Sequence, residues 1–152
     1  MIYLSVEKDV EQVKGERMFT RTLYDAIHRR VAEVVKKNRN ECDILVVLIG
    51  EEHMRLLYKT YKKVDRVTDV LSFFYGVSEE SHKGEGEVFI CLAQAKRQAK
   101  RRKNTLQKEV ARLLIHGCVH VYGYDHQKKR ERIHMRTIEH AIMRLCKKDD
   151  LW

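Results

Sequence analysis

The feature that most constrains the fold is a nearly continuous apolar run from Asp43 to Ile49, with the sequence DILVVLI. The run is rich in branched aliphatic residues, is shorter than most helices and is closed by Gly50. A short apolar run of this kind is typical of a strand that is covered by other elements on both sides of its sheet. The sequence therefore predicts a strand buried on both faces.

The other predicted elements place strands early in the chain and helices late. Shorter strands are predicted at Ile2 to Val6, Thr68 to Phe74 and Glu87 to Cys91, with the polar segment VSEESHKGEG as the loop between the last two. Helices are predicted near Phe19 to Lys37, and at Glu51 to about Tyr61, Leu92 to Arg102, Thr105 to Tyr122 and Glu131 to Lys147. This order predicts an α+β fold, an α/β sandwich in which a small mixed sheet of about four strands is packed by about five helices.

The length and composition favour one soluble domain. The chain has 152 residues and no linker, low-complexity tract or repeat, so residues 1–152 are expected to form a single domain. Its four cysteines are far apart and lack a CxxC spacing, which predicts reduced core residues. The sequence contains neither a signal segment nor the roughly 18 apolar residues of a membrane span. We therefore expect a cytoplasmic protein with no membrane partner.

Eleven residues, HGCVHVYGYDH, carry the clearest chemical pattern. They place His116, His120, Gly123 and His126 at spacings of four, three and three. On a helix, His116 and His120 lie about 40° apart and one turn above each other, so their imidazoles can converge on one ion. Gly123 can adopt the positive φ that ends a helix and returns His126 as a third ligand. The alternative is three unrelated histidines, two on a helix and one in a loop.

Three imidazoles leave one coordination position open for water, which is typical of catalytic rather than structural zinc. We therefore predict one Zn²⁺, or another divalent metal, held by His116, His120 and His126 at a helix in the C-terminal half of the chain. The pattern resembles the HExxHxxGxxH motif of the metzincin proteases, but Gly117 stands where those enzymes carry their general-base glutamate. This difference disfavours a peptidase.

The same segment more closely resembles the signature of the YbeY family, bacterial endoribonucleases of ribosomal RNA maturation. TDVLSF at Thr68 to Phe73 and GEVFI at Gly86 to Ile90 resemble two further blocks of that family in the same order. The resemblance implies a metal-dependent, single-strand-specific endoribonuclease that acts in processing of the 3′ end of small-subunit ribosomal RNA and in ribosome quality control. It implies RNA, the ribosome or its small subunit as partners, and no DNA.

The resemblance also implies a set of catalytic residues, of which this sequence carries only some. The family usually carries a Tyr-Arg pair before TDVLSF, and the aligned residues here are Tyr61 and Lys62. Lysine keeps the charge but lacks the planar fork of arginine that binds phosphate with two hydrogen bonds. We take Lys62, His116 and Asp125 as the candidate catalytic residues, with Arg66 as a second candidate cation.

The charge of the chain is consistent with an RNA partner. Lys and Arg number 31 against 22 Asp and Glu, giving a net charge of +9 and a pI near 9.4. The segment KRQAKRRK is the densest basic feature; either it follows a phosphate backbone or it is a solvated helix face. The predicted RNA-binding residues are Lys62, Arg66, Lys96, Arg97, Lys100, Arg101 and Arg102.

Two alternatives to the ribonuclease remain at this stage. One is a metzincin-like metalloprotease without the usual glutamate. The other is a ribosome-assembly factor that binds RNA without cutting it. Glu109 and Asp69 are further acidic residues near the motifs: Glu109 is a candidate neighbour of His116, and Asp69 is left out of the catalytic set.

Overall fold

The computed structural model describes residues 1–6, 20–35, 41–124 and 128–152, and this part of the chain forms one mixed sheet with helices on both faces. The strands are β1 (Ile2–Val6), β2 (Cys42–Ile49), β3 (Val70–Val77) and β4 (Gly84–Cys91). The helices are α1 (Arg21–Val35), α2 (Glu51–Lys62), α3 (Leu92–Arg102), α4 (Leu106–Val121) and α5 (Lys129–Lys148). The predicted α+β fold, with four strands and five helices in the described residues, is confirmed.

The sheet order is β1-β2-β4-β3, with β1, β2 and β4 parallel and β3 antiparallel to β4. Strand β2 is fully buried on one face only: on the other face Ile49 is buried but Asp43, Leu45 and Val47 are half-buried, so the predicted burial on both faces is confirmed only in part. Its residues Ile44, Val46 and Leu48 join the main core beneath α1, α4 and α5, whereas Ile49 joins a smaller core with Met54 of α2 on the other face. We call the α4 side the inner face and the α2 side the outer face.

Strand β4 begins three residues earlier than predicted, because two glycines of the predicted loop belong to it, and β3 spans Val70–Val77 instead of the predicted Thr68 to Phe74. A Cβ added to Gly84 would lie 2.6 Å from Cys42 Sγ, and one added to Gly86 would lie 2.6 Å from Val121 Cγ1. These glycines therefore permit close packing against β2 and α4 rather than a turn. The connecting loop shortens accordingly to residues 78–83.

All four cysteines are reduced and buried, as predicted. No helix in the described part of the chain has the length and apolar character needed to cross a bilayer.

Candidate metal and nucleic-acid site

Helix α4 fixes both described histidines of the motif. It begins after Thr105, whose side-chain oxygen accepts a hydrogen bond from the Lys108 backbone N–H at 3.2 Å and so caps the helix. Its middle is buried between the sheet and α1, α3 and α5. Gly123 follows the helix with a φ of +82°, and its N–H donates to the His120 carbonyl at 2.7 Å. The positive φ predicted at Gly123 is therefore present.

His116 and His120 lie together at the end of this helix. Their ring centroids are 4.7 Å apart with an angle of 83° between the ring planes, and both side chains are half-buried. Imidazoles at this spacing can present nitrogens to one common ligand. The structure thus brings together the two histidines that the four-residue spacing pairs.

Glu139 of α5 is a site residue that sequence reasoning missed. Its Oε1 lies 2.6 Å from His116 Nδ1, and both side chains are mostly buried. A carboxylate at this nitrogen fixes the tautomer and orientation of an imidazole, which leaves Nε2 as the nitrogen that faces a metal. The signal was not available in the sequence, because Glu139 is 23 residues away and meets His116 only through packing of α5 on α4.

Gly117 lies at a close contact between α4 and the sheet. A Cβ at this position would lie 2.4 Å from Val88 Cγ1 and 3.1 Å from Ser72 Oγ. Because Val88 is fully buried, there is no room for a glutamate side chain at Gly117. The position that carries the general base in metzincins is therefore part of the helix–sheet contact here.

A groove of about 800 Å³ lies between the end of α4, the edge strand β3 and the end of α2. It is lined by Tyr58, Lys62, Arg66, Thr68, Asp69, Val70, Leu71, Ser72, Phe73, Phe74, His116, His120, Val121, Gly123 and Tyr124. Both predicted groove cations, Lys62 and Arg66, thus share one groove with the two histidines. Lys62 makes no ion pair within the described residues, and Arg66 donates to the Tyr58 hydroxyl at 3.2 Å.

A chain of polar contacts supports the wall of this groove. Asp69 accepts hydrogen bonds from Gln98 Nε2 at 2.8 Å and from the Val70 N–H at 2.9 Å. Gln98 in turn accepts from Arg112, which donates to the buried Glu109 carboxylate at 2.7 Å. The contacts found for Glu109 are with arginines, so the structure places it in the support of Asp69 rather than beside His116.

The predicted RNA-binding residues of α3 do not join the groove. Lys96, Arg97, Lys100, Arg101 and Arg102 are exposed, and none of them is among the described residues that line it. Arg97 donates to Glu51 and to Gln94, so part of this basic segment is already engaged in contacts within the protein. Their role in RNA binding stays a prediction.

Asp125 and His126 lie outside the described residues. Within the part of the chain that the structure covers, no three His, Cys, Asp or Glu side chains form a group that could hold a metal. The third ligand and the role of Asp125 therefore stay predictions, and two of the three expected imidazoles are placed.

Fold and groove together define a class: an α+β protein with paired histidines and cations along the open edge of a mixed sheet. Residues 6–147 match the sequence profile of the family described as Endoribonuclease YbeY. The chain therefore belongs to the YbeY family.

Two relatives illustrate the similarity. The chain is 39% identical over 105 residues to Endoribonuclease YbeY of Aquifex aeolicus, which covers 68% of this chain and 70% of the relative. It is 34% identical over 141 residues to Endoribonuclease YbeY of Pelotomaculum thermopropionicum, covering 88% and 93%. The solution structure of TM1509 from Thermotoga maritima has a similar fold, with a TM-score of 0.59, 24% identity, and coverage of 99% of this chain and 95% of that one.

Proposed function

We propose that this chain is an endoribonuclease that hydrolyses phosphodiester bonds of ribosomal RNA, using one divalent ion held by His116, His120 and His126. The observation that carries the proposal is the groove itself, in which two imidazoles of one helix share a wall with Lys62 and Arg66. Its family membership supports RNA as the substrate, because the curated relatives are named endoribonucleases.

The donor set fits zinc, which is the expected ion. Neutral imidazole is a preferred zinc ligand, and the Glu139 contact orients His116 as carboxylates commonly orient zinc-binding histidines. When bound, such an ion supplies Lewis acidity toward a phosphoryl oxygen.

The cations of the groove bind and position the substrate. A phosphodiester gains negative charge on its phosphoryl oxygens in the transition state, and preorganised donors at that position lower the barrier. Lys62 supplies a mobile point charge, whereas Arg66 is held against Tyr58 by a hydrogen bond and by a cation–π contact with 5.3 Å from Arg66 Cζ to the ring centroid. We therefore assign transition-state stabilisation to Lys62 and binding of a neighbouring phosphate to Arg66.

The structure of α4 argues against the peptidase alternative. Peptide hydrolysis of the metzincin type needs a carboxylate one residue after the first histidine, and Gly117 is packed against Val88 there. The assembly-factor alternative differs from the proposal only in turnover, so a cleavage assay separates the two.

The central test compares metal content and cleavage of single-stranded and structured ribosomal RNA fragments. Four samples are needed: the purified protein, the chelated protein, the chelated protein with Zn²⁺ restored, and His116→Ala. We expect cleavage by the first and third samples only, with about one ion bound per chain. Equal cleavage by all four would refute the assignment. Tight RNA binding with no cleavage by any sample would favour the assembly factor.

A matched pair of substitutions at the end of α2 tests the role of Lys62. Lys62 lines the groove, whereas its neighbour Lys63 is also exposed but does not line it. We expect Lys62→Gln to lower the rate of cleavage by about tenfold or more, Lys63→Gln to leave it near the wild-type value, and Lys62→Arg to retain it. Equal effects of the two glutamine variants would show a general loss of charge and remove Lys62 from the mechanism.

The sequence also predicts partners and a location for this activity. We propose that the substrate is presented on the ribosome or its small subunit and that the protein works in the cytoplasm. Copurification of small-subunit RNA with His116→Ala, and accumulation of its unprocessed 3′ end in cells that carry only this variant, are the expected results.

A further inference from the structure

The described residues cover the outer face of the sheet only in part. Helix α2 packs over the ends of β2, β3 and β4, where Ile49, Met54, Leu71 and Cys91 form a small buried core. Beyond this core, Phe73 and Phe89 are half-buried and Tyr75 is exposed. Aromatic side chains exposed on this face require an explanation, because aromatic rings are costly to leave in water and are enriched where partners bind.

These rings form one connected surface centred on Phe73. Its ring centroid lies 4.6 Å from that of Tyr61, 6.4 Å from that of Tyr75 and 5.9 Å from that of Phe89. Tyr61 and Tyr75 are 58% and 61% exposed, so their faces are accessible. We call this set, Tyr61, Phe73, Tyr75 and Phe89, the aromatic platform.

The exposed ring of Tyr75 is held in position by contacts within the protein. The Tyr75 hydroxyl donates a hydrogen bond of 2.7 Å to Glu87 on the adjacent strand, and the Tyr75 ring is nearly parallel to that of Phe73, with 9° between their planes. An exposed ring fixed in this way loses little side-chain entropy when a flat molecule stacks on it. Tyr75 is therefore suited to binding an aromatic partner.

The platform and the groove are continuous through Phe73, which belongs to both. On the groove side, Lys62 and Arg66 provide positive charge, and Lys62 directly follows Tyr61 in the chain. Cations beside stacked rings match a single nucleic-acid strand, whose phosphates and bases point in different directions. In a duplex the base faces are covered by their neighbours, so a platform of this kind selects a single strand.

A protein strand is a poorer match for the same edge. Strand β3 is irregular at Phe74 to Gly76, where the register shifts and Gly76 has a φ of +108°. Such a bulge interrupts the regular row of hydrogen-bonding groups that an added strand would require.

We infer that the aromatic platform stacks bases of single-stranded RNA next to the groove, with Tyr75 as its outermost contact. This inference rests on the proposed function, since it takes the RNA bound in the groove and assigns the site of its neighbouring bases. It goes beyond that function because it assigns base contacts to these rings, whereas the proposed function uses the histidines and the groove cations.

The test uses three probes and four proteins. The probes are a short labelled oligoadenylate, a ribose–phosphate oligomer of the same length without bases, and the oligoadenylate annealed to oligouridylate. The proteins are the wild type, Tyr75→Leu, Tyr75→Phe, and Tyr3→Leu as the control, because Tyr3 is 45% exposed on β1 at the opposite edge of the sheet. Affinities are measured by fluorescence anisotropy under conditions in which the wild type leaves the probes intact.

We expect Tyr75→Leu to weaken oligoadenylate binding by about 5- to 150-fold, the usual effect of removing one stacking contact. Binding of the oligomer without bases and of the duplex should change by less than about twofold, and Tyr3→Leu should bind like the wild type. Tyr75→Phe keeps the ring but loses the hydrogen bond to Glu87, so it should lose less affinity for oligoadenylate than Tyr75→Leu. An unchanged affinity of Tyr75→Leu for oligoadenylate, or an equal loss with the oligomer that has no bases, would overturn the inference.

The same data separate this inference from the proposed function. If the wild type binds and cleaves RNA while Tyr75→Leu is unaffected, only the platform assignment fails. If the wild type neither binds the probes nor cleaves ribosomal RNA, both fail. Circular dichroism of each variant checks that Tyr75→Leu remains folded, which its exposed position predicts.

Discussion

Replacement of Gly117 by alanine tests how the helix that carries the histidines is seated. The new Cβ would lie 2.4 Å from Val88 Cγ1 and 3.1 Å from Val88 Cγ2. Carbon atoms in contact are normally about 3.5–4.0 Å apart, so the overlap exceeds about 1 Å. Val88 is fully buried, so either its side chain or the whole of α4 must move.

Two effects of opposite sign determine the result. Overpacking of a core typically costs about 1–3 kcal/mol, and the depth of this overlap favours the upper end. Alanine in a helix is more favourable than glycine by about 1 kcal/mol. We therefore expect Gly117→Ala to lower the free energy of unfolding by about 2 kcal/mol, which corresponds to a fall in Tm of about 4–8 °C for a chain of this size.

A double-mutant cycle in urea isolates the contact. Val88→Ala removes both methyl groups that oppose the new Cβ, so in that background Gly117→Ala should become neutral or stabilising by up to about 1 kcal/mol. Metal affinity should follow the same pattern, falling in the single variant and recovering in the double, because His116 directly precedes Gly117. A Gly117→Ala variant that is more stable than the wild type, or strict additivity in the cycle, would refute this reasoning.

Three further predictions follow from single contacts. Glu139→Gln should weaken Zn²⁺ binding by about 10- to 100-fold in a chelator competition, since Glu139 orients His116; unchanged affinity would remove its orienting role. Burial, followed by the charge of the N-terminus, lowers the pKa of His28 to about 4. His28 is therefore neutral in the folded state, whereas in the unfolded state it is protonated below its ordinary pKa. The free energy of unfolding should therefore fall by about 1.4 kcal/mol per pH unit from pH 6.5 towards pH 4.5. In urea titrations with chelator present, His28→Gln should lack this dependence on pH. Parallel plots of unfolding free energy against pH for the two proteins would contradict the prediction. Glu109→Gln should lower the free energy of unfolding by about 1–3 kcal/mol, because the contact with Arg112 is weakened, and should leave the affinity for Zn²⁺ unchanged. A variant that keeps its full stability but loses Zn²⁺ affinity would instead place Glu109 in the metal site.

The parts of the fold that the sequence predicted correctly are those that depend on local pattern. Strand β2 follows from seven consecutive residues, and the pairing of His116 with His120 follows from the pitch of one helix. The positive φ of Gly123 likewise follows from the residue type at a helix end.

The parts that it missed depend on neighbours distant in sequence. Gly84 and Gly86 looked like loop residues because the side chains that require them, Cys42 and Val121, lie on other elements. Glu139 gave no signal for the same reason, and the separation of the α3 cations from the groove depends on how α3 packs against α4. The spacing of residues along one helix or strand can be predicted from sequence, whereas the residues that they contact on other elements depend on tertiary packing.

The position of the site follows from the sheet order rather than from any one motif. Among the described strands, β3 is the antiparallel edge strand, so its outer side is where the inner and outer faces meet. Helix α4 brings His116 and His120 to this edge from the inner face, and the end of α2 brings Lys62 from the outer face. A substrate strand lying along the edge therefore contacts elements of both layers at once, which neither face alone would allow. If β3 lay inside the sheet, a further strand would cover this edge, and the same histidine motif would have no open side from which to bind RNA.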